Sequence, residues 1–205
     1  MTEEPAQDAR YFRSQLPEGR SGDWTLERFT VPVDPSYDPA LDTRPHFARR
    51  YPGSYLLLRR GEVQFMTDLY DEWWTQRVVL EQAAQRGGRI LISGLGIGMI
   101  VESLFRADEI EVEDITVLEK SPDVIGLVAP TLRVRYGERL QIIEADVFTW
   151  TPPAGRRYSV IWHDIWPSPY DVKSETSALC DRYAPWGDWV GTWPDEHRDA
   201  YAAMA

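Results

Sequence analysis

The middle of the chain alternates short apolar runs with stretches in which apolar residues recur at helical spacing. Arg89–Ser93 (RILIS) leads into Gly-Leu-Gly-Ile-Gly at 94–98, and MIVESLFRAD from Met99 has helical character. Ile115–Leu118 is a second apolar run ending at Glu119, after which Ser121-Pro122 supplies a helix N-cap with proline in the first turn. LQIIEA (140–145) and YSVIWHDIW (158–166) read as a third and a fourth strand. Strands spaced in this way predict a parallel sheet of right-handed βαβ units, an α/β, Rossmann-like three-layer sandwich.

Upstream the pattern changes. Residues 1–22 are polar, with Pro5, Pro17, Gly19 and Gly22, and predict a flexible arm. Residues 23–67 predict a small β-rich unit. WTLERFTVPV (24–33) alternates as a strand does, with Pro32 placing it at an edge, and Ser54–Leu58 and Glu62–Met66 flank a hairpin turn at 59–61. Residues 68–205 form the main domain, opened by a helix over 68–86 with Asp68 as N-cap, Asp71 at its third position and Gly87-Gly88 as its stop. After Asp171 a helix to about Ala184, a strand over 188–193 and a short helix from Pro194 are expected. Little more than 30 residues follow the fourth-strand loop, so the sheet is expected to be shortened at its C-terminus.

Composition narrows the function. A net charge of -11 argues against a nucleic-acid partner and favours cationic or neutral ligands. Cys180 is the single cysteine, which excludes an internal disulfide and points to a reducing, cytoplasmic compartment. No apolar run approaches the roughly 20 residues that span a bilayer. His46, His163 and His197 are scattered without spaced partners, so no metal site is expected. Six of the nine tryptophans fall between Trp150 and Trp193, where they either stack in a core or line a pocket.

Gly94, Gly96 and Gly98 follow a strand and open a helix, where free amides can meet a ligand. A dinucleotide fingerprint would place glycine at 99, which is Met99. Glu119, at the end of the next strand, can accept hydrogen bonds from ribose hydroxyls or cap the following helix. Asp164, at the end of the fourth strand among apolar neighbours, can position an amine, accept a proton or hold the glycine loop. Its neighbour His163 points to the other face and reads as a core histidine. Asp68, Asp71 and Glu72 beside Trp73 and Trp74 read either as an acidic, aromatic mouth for a cation or as a helix's polar face.

With ILISGLGIGM (90–99), TVLEKSPDV (116–124), IIEADVFTW (142–150) and VIWHDIWPSPY (160–170), the chain resembles the class I S-adenosylmethionine-dependent methyltransferases, and within them the spermidine synthase-like branch. The resemblance runs from about Gly61 to Pro167. It implies cofactor contacts at Gly94, Leu95, Gly96 and Gly98, at Glu119 and Lys120, and at Asp146, Val147 and Asp164, with Asp164 as the catalytic residue and Asp146 near the adenine amine, a position that reads equally as a loop acid satisfying backbone amides. The segment Gln64–Trp74 is similar to the stretch that caps the cofactor in spermidine synthase relatives. The implied cofactor is S-adenosylmethionine or its decarboxylated form. The implied activity is methyl transfer to a small-molecule acceptor, with an amine-bearing one among the candidates. Aminopropyl transfer and a catalytically inactive binding module are the alternatives, and a homodimer is an open possibility. Two departures stand out. Asp164 is followed by Ile-Trp-Pro in place of the Pro-Pro-aromatic of amino-methyltransferases, and Asp164, Ser168 and Asp171 do not keep the acid spacing of spermidine synthases.

Overall fold

The N-terminal segment folds first into a four-stranded antiparallel sheet in the computed structural model, which describes residues 8–34, 36, 51–167 and 172–195. Its strands are β1 (Gly19–Ser21), β2 (Trp24–Val31), β3 (Gly53–Arg60) and β4 (Val63–Thr67), paired in that order. The β3–β4 hairpin turns at Gly61 as expected. β2 is an inner strand, flanked by β1 and β3, and not the edge expected from Pro32. The strand ends at Val31, so the proline takes no ladder position.

The arm expected over 1–22 is corrected where it is described. Leu16 is 2 % exposed and residues 19–21 form β1, while residues 1–7 lie outside the described residues. Local sequence is polar here, and the ordering comes from a distant carboxylate. Asp68, itself fully buried, accepts from the Ser14 amide at 2.7 Å and the Leu56 amide at 2.6 Å, and the Tyr11 hydroxyl donates to its carbonyl at 2.8 Å. Asp68 is therefore not a helix cap, as its sequence position suggested. It fastens the arm to β3.

The helix expected over 68–86 is two helices, α1 (Tyr70–Trp74) and α2 (Arg77–Arg86). At the junction the Gln76 amide reaches back only three residues, to the Trp73 carbonyl, and the Thr75 hydroxyl takes the Glu72 carbonyl at 2.7 Å. That tightened turn ends α1.

The second sheet is parallel, with β5 (Gly88–Ser93), β6 (Val112–Glu119), β7 (Leu140–Glu144), β8 (Tyr158–His163) and β9 (Gly187–Thr192) in the order β7-β6-β5-β8-β9. Helices α3 (Met99–Arg106), α4 (Pro122–Tyr136) and α5 (Lys173–Tyr183) complete the three layers. Ser121 caps α4, accepting from Val124 at 3.3 Å. No helix joins β7 to β8. Residues 145–157, broken by Pro152, Pro153 and Gly155, make that crossover as a loop.

Alternate residues of β5 feed two cores. Ile90 and Ile92 pack with residues of α2, α3 and α4, and Leu91 packs with Leu179 and Tyr183 of α5. Leu26, Leu56 and Leu58 of the small sheet belong to the first of these cores. The Ser21 hydroxyl adds a bond to Asp123 of α4 at 2.7 Å. The small sheet thus shares the core of the main domain. Ser168 and Asp171 lie outside the described residues, as do His46, His197 and the helix expected from Pro194 beyond residue 195.

Asp68→Ala leaves two buried amides without acceptors, and each such group costs about 1–3 kcal/mol. Urea unfolding should show stability reduced by about 2–4 kcal/mol. An unchanged midpoint would show that the arm is held by something other than this carboxylate.

Candidate active site

Ligands of open α/β sheets bind outside the carboxyl ends of the strands, where the strand order reverses. Here the chain runs outward from β5 to β6 and β7, then crosses back to β8 on the other side. A cleft of about 900 Å³ lies at that point. Its floor includes Gly94, Leu95 and Gly96, and its walls come from β4, α1, the ends of β6 and β8, and α5.

The glycine turn is dictated largely by the protein's own packing. Gly94 has φ +94°, and a Cβ there would overlap the carbonyl oxygen of Asp164. Gly98 caps α3 in the left-handed region at φ +72°, and a Cβ would meet Leu132 at 2.7 Å. At Gly96 the neighbour is the Met66 sulfur of β4, which also accepts from the Ile97 amide at 3.5 Å. The small sheet therefore lies directly on the turn.

Glu119 binds the turn from the other side. Its Oε2 accepts from the Leu95 amide at 2.9 Å, and its Oε1 from the Ser121 amide at 2.8 Å. Each oxygen keeps a further lone pair, and the side chain lines the cleft. Of its two sequence readings, the helix cap is taken by Ser121. Glu119 instead ties β6, α4 and the glycine turn together. Lys120 and Asp146 form an ion pair at 2.7 Å at the cleft margin, which holds the Asp146 carboxyl below its usual range, assisted by the Phe148 amide. Val147 is buried in the second core, with its carbonyl accepting from Tyr183 at 2.8 Å.

The inner end of the cleft is acidic. Asp164 accepts from Gln76 Nε2 at 2.8 Å, and Gln76 Oε1 accepts from the Trp162 indole N–H at 3.0 Å. Because an indole nitrogen only donates, the Trp162 contact fixes which end of the Gln76 amide faces Asp164. Burial pushes Asp164 up to about 7, against the lowering bond from Gln76. Glu72 of α1 lines the same cleft and accepts from the Thr67 amide at 2.8 Å and hydroxyl at 2.5 Å. Burial, reinforced by the charges of Asp71 and Asp164, pushes it up to about 8 despite those two bonds.

Sequence reading left Glu72 between two alternatives and passed over Gln76. The Gln76–Asp164 contact spans 88 residues, and the only local signal was Asp71-Glu72 beside two tryptophans. Asp68, the third acid of that group, is at the fold's clasp and not in the cleft. The tryptophans divide. Trp162 stacks on Trp189 with centroids 6.0 Å apart in the core, whereas Trp166 and Trp193 line the cleft. His163 is fully buried, with Nδ1 2.9 Å from the Ser93 hydroxyl and its ring edge-on to Tyr183. Burial drops it to about 3, which makes it a neutral core residue.

No protein-family model matches this sequence, and neither does any curated protein. Among solved structures, the N-terminal domain of EvdMO1 with SAH bound is 19% identical over 58% of this chain and 48% of its own, with a TM-score of 0.45. The magnesium protoporphyrin IX methyltransferase of Synechocystis PCC 6803 with bound SAH is 15% identical over 56% and 51%, with a TM-score of 0.41. The 23S rRNA methyltransferase ErmE is 21% identical over 57% and 45%, with a TM-score of 0.39. The chain thus spans about half the length of each of these structures.

The raised carboxyls give a pH signature. Between the ordinary carboxylate range near 4 and the raised values of about 7 and 8, the folded protein holds protons that the unfolded chain has released. Both groups therefore lower stability as pH rises through that window. Melting temperatures at pH 5 and pH 9 should differ less for Glu72→Gln than for the unaltered protein. An identical difference would show that Glu72 ionises as an exposed carboxylate does.

Proposed function

We propose that the cleft binds S-adenosylmethionine and that the protein transfers its methyl group to a small-molecule acceptor. The observation that supports this best is the charge of the cleft. Seven acidic side chains line it, Asp71, Glu72, Glu119, Asp123, Asp146, Asp164 and Glu175, against two basic ones, Arg60 and Lys120. Such a lining repels the pyrophosphate of a dinucleotide and attracts a sulfonium. Glu119 stands at the end of β6 with lone pairs left for the ribose hydroxyls. Asp146, beside Lys120, would face the adenine amine, and Gly94, Leu95 and Gly96 would border the cofactor from below, whereas Gly98, packed on Leu132, is not part of the cleft lining. Val147 would contribute its backbone.

The sulfonium supplies an already activated methyl group, so what remains for the protein is alignment. An in-line approach at about 3–3.5 Å, with water excluded by the β4 and α1 walls, supplies most of the rate. Asp164 lies at the inner end, where an acceptor would meet that group.

A second reading is aminopropyl transfer from decarboxylated S-adenosylmethionine, in the manner of the spermidine synthase-like branch. The same acidic lining favours it, since the decarboxylated form lacks the carboxylate that this cleft repels, and Gln64–Thr67 and α1 wall the cleft as that resemblance implies.

Calorimetry with S-adenosylhomocysteine, methylthioadenosine and NAD tests these readings. We expect binding of an adenosyl thioether and negligible binding of NAD. Glu119→Ala should weaken adenosyl binding by at least about tenfold, because bonds to a charged acceptor contribute roughly 1.5–3 kcal/mol each. It should also lower the melting temperature, since the Leu95 and Ser121 amides lose their acceptor. NAD binding without a response to either thioether overturns the reading. S-adenosylhomocysteine as product identifies methyl transfer, methylthioadenosine identifies aminopropyl transfer, and binding without any product across a panel of amines leaves a binding module.

A further inference from the structure

Two carboxyls from different elements, Glu72 on α1 and Asp164 after β8, line the same cleft with the same half-finished arrangement. Glu72 Oε2 takes both donors of Thr67, and Oε1 has no partner among the described residues. Asp164 Oδ2 takes Gln76, and Oδ1 likewise has none. Each group is thus braced through one oxygen and leaves the other to the cleft. The braces are themselves fixed. Gln76 is 3 % exposed and locked by the fully buried Trp162, and Thr67 is 2 % exposed. Asp68, which holds the fold outside the cleft, has both oxygens engaged instead.

Resting on the adenosyl-sulfonium reading of the cleft, we propose that Glu72 joins Asp164 in a two-carboxyl seat for the nucleophile, which holds the acceptor as a protonated amine and takes its proton. One N–H proton of the ammonium passes to the carboxyl pair. The freed nitrogen lone pair forms the N–C bond to the methyl carbon of the sulfonium as the C–S bond breaks. The electrons of that bond return to sulfur, leaving a neutral thioether, and the positive charge departs on the methylated ammonium. Burial supports this arrangement. It raises both carboxyls, and Asp71 and Asp164 raise Glu72 further, so each keeps its proton closer to neutrality than an exposed carboxyl does. The other charged groups facing the cleft are Arg60 of β3, Glu119 and Lys120 at the end of β6, Asp123 of α4, Asp146 after β7 and Glu175 of α5.

Sinefungin tests the proposal, because it carries an amine where the sulfonium methyl would be, whereas S-adenosylhomocysteine carries nothing there. Calorimetry in two buffers of different ionisation enthalpy reads both affinity and proton release. The protein should bind sinefungin at least about tenfold more tightly than S-adenosylhomocysteine at pH 7.5, with release of roughly one proton as the ammonium favours the ionised carboxyls. Glu72→Gln should lose most of that preference and reduce the proton release, and Asp164→Asn provides the same comparison should the first variant fold poorly. Equal affinity for the two ligands without proton release overturns the seat and leaves the cofactor reading standing. Binding of neither ligand removes both.

Discussion

The exits of β5 and β8 are pressed together so closely that only glycine fits at position 94. The Gly94 amide donates to the Leu118 carbonyl at 2.8 Å, and the Asp164 amide donates to the Ser93 carbonyl at 2.8 Å. On the far side the Ala145 amide donates to the Glu119 carbonyl at 2.9 Å. These three bonds extend the sheet one residue beyond its ladders at four neighbouring strands. The loops then diverge from a common edge, and the cleft is the space between them. A side chain at 94 would overlap the Asp164 carbonyl and force the exits apart. The position of Asp164 in the cleft follows from the same contact.

The antiparallel sheet closes that space. Met66 rests on the glycine turn, Glu72 is held by Thr67 at the end of β4, and Trp193 reaches Thr75 at 2.9 Å between α1 and α2. The acidic end of the cleft is therefore assembled from residues that precede β5 and residues that follow β8. Neither the small sheet nor the parallel sheet contains it alone. The shared core holds that wall against the floor of the cleft.

The parallel sheet was legible wherever a local pattern decided the outcome. The apolar runs at 89–93 and 115–118, the glycines between them and the Ser121-Pro122 cap each act within a few residues, so their spacing carries the information. The β-hairpin at Gly61 was readable for the same reason. What the pattern missed is tertiary in origin. Asp68 looked like a helix cap because its partners, Ser14 and Leu56, are 54 and 12 residues away. The arm looked unstructured because its burial depends on that carboxylate. Glu72 on α1 and Gln76 at the α1–α2 junction stand at positions whose polarity is ordinary for a helix, and only the crossover to β8 brings Asp164 to them. Glu119 ends a strand, as the apolar run predicts, but its two amide bonds, and so its part in stability, depend on the path of the turn.

In the proposed reading, one adenosyl ligand lies across the glycine turn, Glu119 and β4 at once. Hydrogen–deuterium exchange with and without saturating S-adenosylhomocysteine tests it most directly. Added protection is expected in three separate stretches, 94–98, 119–121 and 64–67, with little change in β1, β2 or α5's solvent face. Protection confined to one of these stretches, or appearing only elsewhere, would contradict it.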